Sequence, residues 1–356
     1  MKRVLTIITL LAGMLTTLQA QQPAATGEKS PTTWEFSLNL GYAMPNDMRY
    51  IKDVILTYGF DAAWWVRPVG DEFWQLKRRF PAFGVKVSYA AIPKAVYGDR
   101  FAIAGLLRCP LGKHLEWTIG TGFSFYTKPY SLTGDPENGY IGSLVNCVVD
   151  LALNYRPTEH SILALRFLHS SNGMLYYPNQ GINYIQLDLG YTLSRMEVPE
   201  VGKVKKPEGF RRNEFVVAIA PGMITPRDRN MPQEYYPTYD LQLGFQRYHT
   251  PSFAYGGCID VWYNFAHTDY IEKHGGEKYA VPAYLSVMPI MESFYGPLSI
   301  RAGMGLTLVS SDEVRLPLYE RVGLYYNFGR GFAGVGINAH GGQIEYVEWT
   351  IGFRFR

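Results

Sequence analysis

His169 and Ser171 stand two residues apart near the end of the apolar stretch LALRFLHSSNG (163–173). Alternate side chains of a β-strand project from the same face, so a strand here would place the imidazole beside the hydroxyl. A neutral histidine next to a serine is the pairing that a serine nucleophile and its general base require. Polar residues also gather at strand ends for structural reasons, so the pair does not by itself establish a site.

The alternation in this stretch predicts the two faces of its strand. Arg166 and Ser170 share one face, and in a membrane β-barrel the charge of Arg166 would place that face in the lumen. The opposite, apolar face carries Leu163, Leu165, Phe167, His169 and Ser171. After Asn172-Gly173 a second alternating run, 183–193, places Asn183 on the apolar face and Asp188 on the interior face. The two runs predict a hairpin with His169, Ser171 and Asn183 on its outer side.

Similar alternating segments recur along the whole chain, bounded by Gly, Pro, Asn and Asp. The first half contains 34–44, 54–66, 82–92, 101–111, 114–127, 142–155, 160–171 and 183–193. The second half, from 214–224 to 343–356, again contains about eight. The predicted fold is all-β, an antiparallel transmembrane β-barrel built from a duplicated eight-stranded unit. Two small barrels and one barrel of about 16 strands satisfy this pattern equally.

The N-terminus and the composition favour export to an outer membrane. Residues 1–20 have the basic start, apolar centre and small-residue end of a signal peptide, with cleavage near Ala20. No later stretch is apolar for long enough to form a transmembrane helix, whereas aromatic residues, at 15%, suit the girdles of an outer-membrane barrel. A net charge of +3 argues against nucleic acid as a partner. Three scattered cysteines predict no disulfide framework, and the seven histidines predict no metal or other cofactor.

Connection lengths indicate the orientation of the strands. The connections 45–53, 93–100, 128–141 and 172–182 are long, and those between them include the short 112–114 and 156–160. Outer-membrane barrels have long external loops and short periplasmic turns, so both termini are predicted in the periplasm and His169 at the external end of its strand. The stretch 67–81 is too long for its predicted periplasmic side.

The halves resemble each other, which predicts a domain division. We expect a first unit at 21–195 that carries the site, a linker at 196–211 and a second unit at 212–356. The segment 155–173 is similar to 326–342, which aligns His340 with His169. Gly342 replaces the serine, so the second unit is interpreted as a degenerate copy with a structural role. An unrelated histidine at a strand end is the alternative.

The motif FLHSSNG, followed by PNQGIN and LDLGYTL, resembles the PagL family of lipid A deacylases, or acyloxyacyl hydrolases, which are outer-membrane β-barrels. The resemblance is strong over 155–195. It implies hydrolysis of an ester-linked acyl chain on lipid A at the outer leaflet. It also implies the roles of three kinds of residue: Ser171 as nucleophile, His169 as base, and an oxyanion hole from Asn179, Asn172 and Gly173.

One position departs from the family pattern. The resemblance implies a glutamate as third member of the triad, and Asn183 stands in its place. An amide oxygen can orient the imidazole but cannot stabilise imidazolium by charge, so a weakened enzyme is expected. Asp135 and Glu137 are the candidate substitute carboxylates, and Asp188 is disfavoured because it faces the interior.

The sequence therefore predicts an outer-membrane serine esterase that removes an ester-linked acyl chain from lipid A, lipopolysaccharide or another acylated lipid. One alternative is a non-catalytic outer-membrane barrel, either a porin or a structural protein. Another is a secreted β-sandwich that binds glycan or lipid. Bulky interior residues such as Arg166, Gln186 and Asp188 favour an enzyme over a channel.

Overall fold

A computed structural model describes residues 31–45, 54–94, 96–131, 133–176, 178, 180–194, 196, 200–225, 234–267, 283–309 and 317–356. The predicted signal peptide and its cleavage site lie outside these residues. The first half forms β1 to β8. Their bounds are Thr32–Pro45, Ile55–Val66, Ala82–Ala91, Arg100–Pro110, Leu115–Tyr126, Val145–Tyr155, Ser161–Ser171 and Ile182–Thr192.

The second half forms β9 to β16. Their bounds are Asn213–Ile224, Tyr236–Thr250, Phe253–Asn264, Ala283–Tyr295, Leu298–Val309, Leu318–Phe328, Gly331–His340 and Gln343–Phe355. A 3-10 turn, Phe265–His267, follows β11. The predicted strands thus agree with the structure to within a few residues at each end. The stretch 67–81, too long for a plain turn, contains the short helix α1, Phe73–Lys77.

Each half closes on itself as an eight-stranded barrel. In the first, β1 pairs antiparallel with both β2 and β8. In the second, β9 pairs antiparallel with both β10 and β16. The duplicated barrel prediction is confirmed in the form of two small barrels, and both the single 16-stranded barrel and the β-sandwich are wrong. The two barrels belong to two compact units of the chain.

Period-two alternation separates an apolar outer face from a polar interior in both barrels. On β7, Leu163 and Leu165 project outward and are about half exposed, whereas Arg166 and Leu168 are buried inside. On β10 the same alternation runs over all fifteen residues. Among the described residues, no helix is long and apolar enough to cross a membrane.

Ion pairs fill the interior of the first barrel. Nη1 of Arg166 lies 2.5 Å from Asp150 and its Nε lies 2.6 Å from Asp188. Nζ of Lys86 lies 2.6 Å from Asp150 and 3.3 Å from Asp61. A second layer lies nearer the end of the barrel where β1 begins and β8 ends. It joins Glu35 and Glu116 to Arg67, Arg108 and Arg156. An eight-stranded barrel is just wide enough for its side chains, so paired charges occupy the space that a channel would need.

The second barrel is filled in the same way. Arg321 reaches Asp240, Asp260 and Glu348. Glu292 accepts hydrogen bonds from Arg301 at 3.0 Å and from Arg354 at 2.8 Å. Buried charges of this kind are tolerated because each has an opposite charge within contact distance.

Arg166→Met should strongly destabilise the first barrel. Among the described residues, the change leaves Asp150 and Asp188 buried with Lys86 as the one nearby cation, and removing one partner of a buried pair costs about 3–5 kcal/mol. The urea midpoint of unfolding in detergent measures the loss. Lys113→Gln, at an exposed turn, is the control and should leave the midpoint unchanged. Equal midpoints for both variants would contradict a supporting role for the interior ion pairs.

Cysteine labelling tests the predicted orientation. In a variant without native cysteines, Glu137→Cys in the loop before β6 should react with an impermeant maleimide on intact cells. Glu159→Cys, in the short turn between β6 and β7, should react only after permeabilisation, because short turns face the periplasm. Both positions are exposed. The reverse labelling pattern would overturn the orientation.

Candidate active site

The hairpin of β7 and β8 brings His169 and Asn183 together. The two strands pair antiparallel, and the register sets His169 directly opposite Asn183. Opposite residues on one face of an antiparallel pair have Cβ atoms about 4.5–5.5 Å apart. Both side chains lie on the outward face, as the alternation predicted. The local sequence therefore positions the pair without help from distant elements.

A hydrogen bond joins the two side chains. Nδ1 of His169 lies 2.7 Å from Oδ1 of Asn183. A carbonyl oxygen only accepts, so the Nδ1 proton is donated and Nε2 keeps its lone pair. Asn183 thus orients the imidazole and leaves Nε2 as the nitrogen that can accept a proton. His169 is half-buried at the end of the outward face.

The two neighbouring serines lie on opposite faces of the sheet. Ser171 follows His169 by two residues, shares its outward face and is 4% exposed. Ser170 is fully buried in the interior, where its hydroxyl bonds with that of Ser124 and lies 3.4 Å from the carbonyl oxygen of Cys147. The interior position predicted for Ser170 is observed. Ser171 is the one of the two that shares a face with the base.

The chain leaves Ser171 through a tight turn with free N–H groups. The N–H of Leu175 donates to the carbonyl of Asn172 at 3.3 Å, and Gly173 and Met174 both have a φ of 65°. Two consecutive residues with positive φ define a type I′ turn. Within the described chain, the N–H groups of Gly173 and Met174 have no acceptor. They can supply an oxyanion hole, and Met174 is a donor that the sequence did not reveal.

Of the two asparagines in the predicted oxyanion hole, the structure describes Asn172. The side-chain amide of Asn172 donates to the carbonyl of Tyr176 at 2.6 Å, and its Oδ1 accepts from the N–H of Tyr176 at 3.3 Å. This side chain is therefore engaged in shaping the loop. Asn179 lies outside the described residues.

The carboxylates considered as replacements lie apart from His169. In the described part of the chain, neither Asp135 nor Glu137 forms a hydrogen bond or ion pair with His169. The main chain of Asp135 pairs instead with Ser131. Asp188 faces the interior, as predicted, and bonds to Arg166. Asn183, by its bond to Nδ1, is thus a group that orients the imidazole.

His340 lies on the opposite face from His169. β15 begins at Gly331, nine residues before His340, whereas β7 begins at Ser161, eight residues before His169. An even number of residues along a strand returns to the same face and an odd number changes it, so His340 points inward. There its ring lies 5.9 Å from the buried ring of Tyr319. Its Nδ1 lies 2.7 Å from Oε2 of Glu345. The aligned histidines therefore occupy different environments.

The described residues contain no group of three or more His, Cys, Asp or Glu side chains that could hold a metal ion. The candidate site consists of an imidazole, an amide, a hydroxyl and main-chain N–H groups. All of them lie where β7 and β8 reach the end of an apolar outer surface.

Two closed antiparallel barrels with apolar outer faces define an outer-membrane type of β-barrel protein. Two family models match the chain: lipid A 3-O-deacylase (PagL) at residues 58–192, and the C-terminal domain of acyloxyacyl hydrolase at residues 212–356. The chain belongs to this PagL and acyloxyacyl hydrolase family, as its hairpin motif indicated. No curated protein matches the chain.

The chain is also similar to solved structures, at low identity. The crystal structure of the outer membrane enzyme PagL is 20% identical, covers 47% of this chain and 99% of its own, and has a TM-score of 0.32. A triple mutant of the Rhodopseudomonas blastica porin is 11% identical, with 91% of this chain and 100% of its own covered and a TM-score of 0.19.

Asn183→Glu should raise the rate of ester hydrolysis at this site. A carboxylate at the position of Oδ1 would keep the orientation of the ring and stabilise the imidazolium that forms in the reaction. Such groups contribute about 10²–10⁴-fold, which sets the upper limit of the gain. Turnover of an acyl ester by the detergent-solubilised protein measures it, with Asn183→Ala as the matched loss of orientation. A slower Asn183→Glu enzyme would mean that Asn183 has another role, in packing or in binding substrate.

Proposed function

We propose that this protein is an outer-membrane serine esterase that removes an ester-linked acyl chain from lipid A or a related glycolipid. The observation that carries the proposal is the bond from His169 to Asn183, made on the outward, lipid-facing side at the end of β7 beside Ser171. The scissile ester of a membrane lipid lies at the interface between acyl chains and polar groups. A base and a nucleophile at the end of an apolar outer surface are at the depth where such an ester lies.

The geometry supports a two-step mechanism. Nε2 of His169 takes the proton of the Ser171 hydroxyl as its oxygen attacks the acyl carbonyl carbon. The N–H groups of Gly173 and Met174 donate to the oxyanion of the tetrahedral intermediate. Collapse of the intermediate breaks the ester bond, and the imidazolium gives its proton to the departing sugar oxygen, which leaves as a hydroxyl while the acyl group stays on Ser171. Water, deprotonated by the same nitrogen, then hydrolyses the acyl-serine ester.

Asn183 explains how this site works with an amide in the third position. The hydrogen bond to Nδ1 selects the tautomer in which Nε2 is the base. It does not neutralise the imidazolium, so the proton transfer costs more free energy than with a carboxylate. The protein is therefore proposed as an active but slow esterase.

The interior of the first barrel favours an enzyme over a channel. Gln186 bonds to Asn39 at 3.3 Å, and Arg166 spans the interior between two aspartates. Because these contacts fill the interior, a reaction would have to take place on the outer face. The porin alternative would need an open interior, and the structural alternative gives no reason for an oriented imidazole on the lipid side.

Substitutions at the two adjacent serines test the proposal. Ser171→Ala should abolish ester hydrolysis because it removes the nucleophile, while Ser170→Ala, the matched control inside the barrel, should keep most of the activity. Mass spectrometry of lipid A from membranes that contain each variant detects the loss of an acyl chain. Heat-modifiable migration on gels checks that each barrel is folded.

A companion variant separates the two barrels. His340→Ala should leave hydrolysis unchanged, because His340 faces the interior of the second barrel and Gly342 supplies no hydroxyl. An inactive Ser170→Ala or His340→Ala protein that is correctly folded would place the site elsewhere. A lipid A acyl pattern that is the same with and without the wild-type protein would refute lipid A as the substrate.

A further inference from the structure

The outer face of the second barrel carries an apolar groove on strands β9 to β12. Its volume is about 580 Å³, within the range of about 300–1,000 Å³ that ligand sites occupy. The lining is almost entirely apolar and includes Val217, Leu243, Phe245, Ile259 and Val287. These residues project away from the interior, so the groove opens toward the membrane.

A glycine forms the notch at the centre of the groove. The strand register aligns Phe215, Phe245, Gly257 and Pro289 in one row around the barrel. Gly257 is the member of this row without a side chain. A Cβ built on Gly257 would meet one atom within 4 Å, the main-chain oxygen of Met288 at 3.9 Å. The space in front of Gly257 is therefore open to an extended apolar chain.

A cation lies at one end of the groove. Arg247 shares the outward face of β10 with Phe245, two residues closer to the short turn at Thr250 and therefore about 6.8 Å further along the strand. It is exposed, and among the described residues it makes no hydrogen bond or ion pair. Tyr255, the partner of Arg247 on β11, is half exposed on the same face. Tyrosine and arginine at this level are typical of the headgroup region of a membrane.

We propose that this surface binds one glycerophospholipid, with an acyl chain in the groove along Gly257 and the phosphate on Arg247. The groove supplies the apolar contact, and the guanidinium matches the phosphate in charge and in hydrogen-bond geometry. The short-turn end at which Arg247 lies is the end predicted to face the periplasm, so the lipid comes from the periplasmic leaflet. The site is separate from the esterase residues of the first barrel.

Native mass spectrometry of the full-length protein tests this site. After extraction in mild detergent and incubation with phosphatidylglycerol, the wild type should retain one lipid per chain. Gly257→Leu should remove that lipid because the leucine side chain fills the notch. A Cβ at this position meets no atom closer than 3.9 Å, so the substitution fits the backbone. Arg247→Gln should weaken retention of phosphatidylglycerol by about fivefold, the contribution expected of one interfacial cation, without affecting uncharged diacylglycerol.

Two matched controls identify a specific effect. Ala333→Leu places the same leucine side chain on the outward face of β15, and Arg330→Gln removes an exposed cation from the turn before it. Both should retain the lipid as the wild type does. Equal retention by Gly257→Leu and Ala333→Leu would overturn the proposal, as would preferential retention of lipid A or a lipid-free dimer in which a second copy covers the groove. Esterase activity in the same samples is expected to be unchanged, so a failed lipid site and a failed esterase are distinguishable.

Discussion

The pairing of charges inside two narrow barrels is the constraint on which the rest of this structure depends. Eight strands close around a space that side chains alone can fill, and every second residue must point into it. In the first barrel Arg166 lies between Asp150 and Asp188, and in the second Arg321 lies among three carboxylates. With the interior occupied in this way, the outer face and the strand ends are the surfaces that remain for chemistry.

The same constraint makes the site on β7 and β8 specific. Because Arg166 and Ser170 must point inward, His169 and Ser171 must point outward, and the register brings Asn183 opposite the imidazole. The hydroxyls of Ser170 and Ser124 bond to each other on the interior side of this end of β7, and the backbone pairing with β8 holds the strand. The inward-facing residues of β7 thus determine that the imidazole of His169 faces outward.

The two barrels use one architecture differently. The first presents a histidine to the outside with an amide as its partner, whereas the second holds a histidine inside with a carboxylate as its partner. Glu345 is the extra residue of a β-bulge, because Asn338 pairs with Tyr346 while Ala339 pairs with Ile344. In the second barrel the outer face offers instead an apolar groove next to Arg247. The chain therefore contains two barrels of the same architecture whose histidines have different surroundings.

By itself, the sequence determined the strands, the two faces of β7 and β8, and the shared outward face of His169, Ser171 and Asn183. These features are local, since an alternation of period two fixes which residues share a face. The tertiary structure alone decided that each half closes on itself, because the pairing of β1 with β8 joins residues far apart and leaves the alternation unchanged. It also decided the inward position of His340, which depends on where β15 begins, and the positive φ of Met174, which a methionine does not signal.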